Sequence, residues 1–138
     1  MGPRRGEDIV MEIVAALFIE GLNMRQAPGG ATRIDLQGVH FSFAAPHPPP
    51  VSLDPHLVVL VRASADDSGL SALEVVFTKP DGSEVARTKQ PVQVEPGKFG
   101  RQLVKAELTW DDYGPIEAHC SIDGKPPIVV PLTLLPPT

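Results

Sequence analysis

The sequence reads Ile116-Glu-Ala-His-Cys-Ser-Ile122 near its C-terminal end, and Asp123-Gly124 follows directly. Apolar and polar residues alternate through this stretch, which is typical of a β-strand with one buried and one solvated face. After the turn signal Asp123-Gly124, apolar residues resume at alternate positions from Ile128 to Leu134. The pattern predicts an antiparallel hairpin and indicates a fold built from β-sheets.

The apolar residues on both sides of this turn occupy even positions, so they share a face only if the loop has an odd length. We expect the loop Ile122-Asp123-Gly124, which places Pro115 opposite Pro131 and ends the ladder there. Proline cannot donate to a ladder. The last strand is therefore predicted to be an edge strand, or to cross between sheets at Pro131.

The same reasoning applies to Pro80-Asp81-Gly82, which lies between two further apolar series. As a three-residue loop with a left-handed glycine in third place, it pairs Lys79 with Ser83. Phe77 should then face Val85.

Similar runs occur along the rest of the chain. From Ile9 to Ile19 every odd position is apolar, and the β-branched content of this segment favours a strand over an amphipathic helix. The continuous apolar run Leu57 to Val61 predicts a central strand covered on both faces. In total, about eight short strands with turns at roughly ten-residue spacing predict an all-β fold, an antiparallel β-sandwich.

Some of these segments resemble a bacterial family of small single-domain proteins of unknown function. The resemblance is carried by the opening strand Met11–Glu20, a Val-rich strand ending at Arg62 after a Pro-rich connector, and the turns Lys79-Pro-Asp-Gly82 and Ser121-Ile-Asp-Gly-Lys125. It implies an immunoglobulin-like β-sandwich without a catalytic motif. Because members of the family usually begin near Met11, it also implies that residues 1–10 are an N-terminal extension, disordered or produced by an upstream start.

Composition agrees with one domain over residues 11–138. The chain has 138 residues, of which 42% are hydrophobic, with 16 Pro and 12 Gly. That is enough apolar material for one core, interrupted too often for long helices.

Charge and cysteine content narrow the functional classes. Twelve Lys and Arg against 17 Asp and Glu give a net charge of −5, which argues against a nucleic-acid partner. No stretch approaches the ~18 apolar residues of a membrane span, so no membrane partner is expected. The single Cys120 cannot form an internal disulfide, and we expect a cytoplasmic protein.

Few residues suggest catalysis. Cys120 occupies an inward position of its strand, where a buried structural thiol is expected rather than a nucleophile. Its neighbour His119 would lie on the opposite face and could not act as its base. The four histidines lack metal-ligand spacing. We therefore expect no enzyme activity and no cofactor.

The favoured function is a non-enzymatic binding module that contacts a protein partner, or a second copy of itself, through a sheet face. Exposed apolar residues on an outward strand phase mark such faces, although a loop or the N-terminal extension could equally cover them. The predicted interaction residues are Val58, Leu60, Val76, Val129 and Leu135.

An alternative is a Ca²⁺ or small-ligand site at one end of the sandwich. Two acidic pairs lie between strands, Asp66-Asp67 and Asp111-Asp112, and carboxylates gathered by loops can bind a divalent cation. The same residues are equally expected as turn formers, because Asp bonds to its own backbone.

Overall fold

A computed structural model describes residues 11–138, so the predicted extension at residues 1–10 lies outside the described part. The described residues form twelve strands and a short 3-10 turn at Pro28–Gly30, more strands than the sequence predicted. The strands are β1 (Met11–Ile19), β2 (Gly21–Gln26), β3 (Thr32–Gln37), β4 (Ser42–Ala44), β5 (Val51–Leu53), β6 (His56–Ala63), β7 (Leu70–Thr78), β8 (Glu84–Gln93), β9 (Phe99–Lys105), β10 (Leu108–Trp110), β11 (Gly114–Ile122) and β12 (Ile128–Leu135).

Two larger sheets organise the molecule. The three-stranded sheet has the order β1-β6-β9, and the five-stranded sheet has the order β4-β12-β11-β7-β8. Neighbouring strands are antiparallel except β4, which runs parallel to β12. Alternate side chains of both sheets belong to one buried apolar cluster. The described chain is therefore all-β, in an arrangement consistent with the predicted β-sandwich.

The inward-facing side chains of β11 belong to the half of this core that the five-stranded sheet supplies. Ile116, Ala118, Cys120 and Ile122 are all buried. They pack against residues of the same phase in β7 on the neighbouring side. Burying apolar area at about 25 cal/mol per Å² is the main force that holds the sheets together.

The apolar run Leu57–Val61 is confirmed as a central strand. It lies in β6, which has β1 on one side and β9 on the other. Val58 points away from the core and is nevertheless fully buried. This corrects the prediction that Val58 is part of an exposed interaction face.

In β1 the buried series changes from odd to even positions, which the sequence pattern did not predict. Ile13 pairs with Val61, but Ala15 pairs with Leu60, so Val14 is an extra residue that forms a bulge. Beyond this bulge the even positions turn inward, and Phe18 is completely buried. The odd positions from Ala15 onward lie on the outer side of the sheet.

The predicted three-residue turn between β7 and β8 is confirmed, but the predicted pairing beyond it is wrong. The Lys79 amide donates to the Ser83 carbonyl at 2.9 Å, and Gly82 has a φ of 89°. A register shift just beyond the turn, however, places Phe77 opposite Ala86 and not Val85. An extra residue in β8 again accounts for the difference.

The β11–β12 connection is longer than predicted. Asp123 and Gly124 both have positive φ, and the Lys125 amide donates to the Ile122 carbonyl at 2.9 Å, so they form a two-residue turn. The connection continues to 127, which moves the register by two residues.

Even positions therefore still oppose even ones, but Pro115 faces Thr133 and Pro131 faces Glu117. The ladder does not end at Pro131, and β4 is the outermost strand of this sheet. Since β4 pairs only with Thr133–Leu135, β12 has no ladder partner on that side at Pro131. This local free edge is where a proline is tolerated.

Candidate interaction surface

The four aspartates predicted as a cation site are far apart. Asp66 and Asp67 precede β7, whereas Asp111 contacts Lys79, which directly follows β7. A nine-residue strand separates the two pairs by about 30 Å. Among residues 11–138 no group of three or more His, Cys, Asp or Glu side chains could hold a metal ion. The structure therefore does not bring these residues together as a site.

Turn formation instead accounts for one carboxylate of each pair. Asp67 Oδ1 accepts from the Gly69 amide at 3.1 Å, and Asp112 Oδ1 accepts from the Tyr113 amide at 2.8 Å. These bonds stabilise the loops that precede β7 and β11.

Cys120 and His119 lie on opposite faces of β11, as predicted. Burial raises the pKa of the Cys120 thiol to about 12, so the nucleophilic thiolate is scarce at neutral pH. His119 Nε2 lies 3.0 Å from Thr78 Oγ1 and 3.8 Å from Glu117 Oε1. Both neighbours meet the same ring nitrogen, whereas a proton relay uses the two nitrogens separately.

An end cleft of about 300 Å³ lies between the β7–β8 turn and the loop before β11. Its polar groups engage one another: Asp111 pairs with Lys79 and raises the pKa of that ammonium. Trp110 forms the buried wall and donates from Nε1 to the Leu132 carbonyl at 3.3 Å. The polar groups of the cleft are thus largely committed to structural contacts.

The outer face of the five-stranded sheet is mixed and charged. One row across it runs from Val129 through His119 and Val76 to Arg87. Arg87 forms ion pairs with Glu74 and Glu84, as expected of a solvated face. The predicted interaction residues Val76, Val129 and Leu135 belong to β7 and β12. Val129 and Leu135 are exposed, and the neighbour of Val129 in its row is the polar His119.

The outer face of the three-stranded sheet has a different character. Phe99 is 65% exposed, Val14 51% and Leu103 39%. Val58 pairs with Leu17 on one side and Leu103 on the other, so an apolar row crosses the whole sheet. We call this surface the apolar face; its partly or fully exposed members are Val14, Ala15, Leu17, Leu60, Phe99 and Leu103, and Val58 and Ile19 are buried among them.

Charged residues lie on both edge strands of the apolar face and at one end of its central strand. Glu12 on β1 pairs with Arg62 on β6. On β9, Arg101 and Lys105 occupy the same outward phase as Phe99 and are exposed. Within the described part of the chain, neither of these two cations has an ion-pair partner.

The β2–β3 hairpin flanks the apolar face and is hydrogen-bonded into neither large sheet. No residue of its two strands is buried. One side is apolar, where Leu22 pairs with Leu36 and Met24 with Ile34. A groove of about 400 Å³ between this hairpin and β9 is lined by Ile19, Glu20, Gly21, Leu22, His56, Arg101 and Leu103.

Of the predicted interaction residues, only Leu60 and the buried Val58 belong to the apolar face. Phe99, Leu103 and Val14 are not among the interaction residues predicted from the sequence. A signal existed, because Phe99 and Leu103 share one phase and the core residue Val104 has the other.

Comparison of the chain with protein-family models and with curated proteins finds no match. The structure shows no helix, within residues 11–138, that is long and apolar enough to cross a membrane.

Proposed function

We propose that this chain is a non-enzymatic protein-interaction module that binds through the apolar face of the three-stranded sheet. The observation that carries the proposal is the exposure of Phe99, Val14 and Leu103 on an outward sheet surface. The solvated face of an antiparallel sheet is normally polar. Contiguous exposed apolar residues with a polar rim are characteristic of interaction sites.

The contrast between the two sheets supports this assignment. On the five-stranded sheet, Glu74, Arg87 and Glu84 satisfy one another at the surface. On the three-stranded sheet, the Glu12–Arg62 pair lies at one end of the outer face, whereas the row Leu17-Val58-Leu103 is apolar and Arg101 and Lys105 face solvent. Burial of the apolar face would stabilise a complex by removing this area from water.

We further propose that the fold is immunoglobulin-like, as the resemblance to the bacterial family implies. The strand orders β1-β6-β9 and β12-β11-β7-β8 support it, because they correspond to strands A, B, E and G, F, C, C′ of that fold. The unpaired, buried Cys120 supports a reducing compartment such as the cytoplasm.

The absence of catalysis is also a proposal. It is supported by the high pKa of Cys120 and by the way Thr78 and Glu117 share one nitrogen of His119. Neither arrangement activates a nucleophile.

Site-specific photo-crosslinking tests the interaction surface. A benzophenone amino acid is placed at position 99, and a control carries it at position 129, which is also exposed but on the charged sheet. We expect protein adducts from position 99 in cells of the native host and few from position 129. Equal yields from both positions, or no adduct from position 99, would contradict the proposal.

A further inference from the structure

The two edge strands of the apolar face carry charges of opposite sign, and the central strand carries one cation, Arg62, which pairs with Glu12 of the same chain. Glu12 and Glu20 lie along or just beyond β1. Arg101 and Lys105 lie along β9. Glu20 and Arg101 line the same groove, so both edges border the one surface.

This arrangement determines how two copies could meet face to face. Two identical sheets that stack face to face can be related by a twofold axis between them that runs either parallel or perpendicular to the strands, since both rotations give a closed dimer. An axis parallel to β6 places β1 of one copy over β9 of the other, so that Glu20 comes near Lys105 and Glu12 lies over Phe99, one outward position from Arg101. A perpendicular axis places each edge over its own equivalent, so like charges meet.

Rotation about the axis parallel to β6 also brings apolar residues of the two copies opposite each other. Leu17, Val58 and Leu103 form one row across the sheet, with Val58 on the central strand. Rotation about an axis along β6 brings Leu17 of one copy over Leu103 of the other and leaves the two Val58 residues near the axis. The two Arg62 residues also come near the axis, each beside the Glu12 carboxylate of its own chain. Aligned packing of this kind is the common geometry of stacked sheets.

We propose that the partner is a second copy of this chain, joined through the apolar face about a twofold axis parallel to β6. This inference rests on the proposed function and names the partner of that same surface. Charge complementarity between the β1 and β9 edges selects this axis. The apolar row supplies the contact between the edges.

The β2–β3 hairpin contributes the remaining surface. Three strands about 4.8 Å apart and about 26 Å long cover roughly 400 Å² in projection. A stable interface buries about 800 Å² per partner. Because Leu22 of the hairpin and Leu103 of β9 line one groove, a second copy on the apolar face can also contact the hairpin through the side that carries Leu22 and Met24. An isolated two-stranded hairpin is marginally stable, so this contact would also order the hairpin.

Charge exchange between the two edges tests the proposal. One variant combines Glu12→Lys with Glu20→Lys, and the other combines Arg101→Glu with Lys105→Glu. Each variant alone has like charges on both edges, and we expect its dimer dissociation constant to rise at least tenfold. An equimolar mixture of the two variants restores opposite charges and should dimerise like the original chain. Sedimentation equilibrium measures all three constants, and circular dichroism verifies that each variant is folded.

A matched control carries Glu74→Lys with Glu117→Lys on the outer face of the five-stranded sheet. It changes the net charge by the same amount as the first variant, and Glu74 is ion-paired as Glu12 is. We expect its dissociation constant to stay within twofold of the original. If it weakens the dimer as much as the β1-edge variant, overall charge and not the edge is responsible, and the proposed axis is wrong.

The remaining outcomes separate this inference from the proposed function. A wild-type chain that stays monomeric at several hundred micromolar overturns the dimer. If position 99 still crosslinks to a different protein, the interaction surface stands and only the identity of the partner changes. A dimer that is indifferent to both edge variants overturns the twofold axis. Absence of both dimer and adducts overturns both proposals.

Discussion

Replacing Phe99 with alanine should separate the stability of the fold from the use of the apolar face. Phe99 is 65% exposed, so folding buries only about a third of its side chain. Full burial of a phenylalanine contributes about 1.5–3 kcal/mol. The substitution should therefore lower the free energy of unfolding of the monomer by only about 0.5–1 kcal/mol.

In the proposed dimer, the exposed part of Phe99 contributes to association. Burying it would contribute about 1–2 kcal/mol per copy, and a twofold dimer buries two copies. Loss of both therefore removes about 2–4 kcal/mol of association free energy. The dimer dissociation constant should rise about 30- to 1000-fold.

Two measurements check this prediction. Urea denaturation at a concentration well below the dissociation constant gives the monomer stability, and sedimentation equilibrium gives the association. Val129→Ala serves as the control, because Val129 is 45% exposed on the other sheet. An unchanged dissociation constant for Phe99→Ala, or a loss of monomer stability above about 2 kcal/mol, would refute the reasoning.

Three further predictions concern the fold. Phe18→Ala should lower the free energy of unfolding by about 3–5 kcal/mol and Leu17→Ala by less than half of that, because the bulge at Val14 turns Phe18 inward. If denaturant titration shows the reverse order, the bulge is contradicted. Gly82→Ala should lower stability by about 1–2 kcal/mol in thermal unfolding, since Gly82 has a φ of 89°, and an unchanged melting temperature would argue against that turn. The free energy of unfolding should fall as the pH rises from about 9 towards 12, by about 1.4 kcal/mol at pH 10. Burial raises the pKa of Cys120 to about 12, so the unfolded chain releases the thiol proton first. The Cys120→Ala variant should lack this pH-dependent loss of stability.

The sequence was sufficient for the fold class and insufficient for register. The alternation in Ile116–Ile122 predicts that its apolar residues are buried, and the structure buries all four of them. Parity restricts the β11–β12 register only to steps of two residues, so it could not distinguish Pro131 opposite Pro115 from Pro131 opposite Glu117. The bulge at Val14 adds one residue to a run of apolar side chains, where nothing in the composition marks it.

The apolar face was harder to predict for a related reason. The alternation of residues along β6 correctly places Val58 on the outer side of the sheet, but the exposure of Val58 depends on the strands beside it. Leu17 and Leu103 flank it in the sheet, and this pairing is a long-range property. The phase of β9 in the sequence marks Phe99 and Leu103 as outward residues, but their position beside Val58 and Leu60 depends on the pairing of β9 with β6.

The edges of the three-stranded sheet explain why association should use its face and not strand addition. At the end of β1, the Glu20 amide donates to the Gln37 carbonyl at 2.9 Å, and the Phe18 carbonyl accepts from the His40 amide at 3.0 Å. Along β9, the side-chain amide of Gln102 donates to the Pro91 carbonyl at 3.2 Å, which bridges this edge to β8.

These contacts occupy edge positions that an incoming strand would otherwise use. Strand addition at β9 would have to displace the Gln102 bridge, whereas packing on the apolar face leaves it intact. If the dimer forms through the face, Gln102→Ala should leave the dissociation constant within about twofold, a change below roughly 0.5 kcal/mol. If it forms by strand addition, removing the bridge should strengthen association instead, and sedimentation equilibrium distinguishes the two.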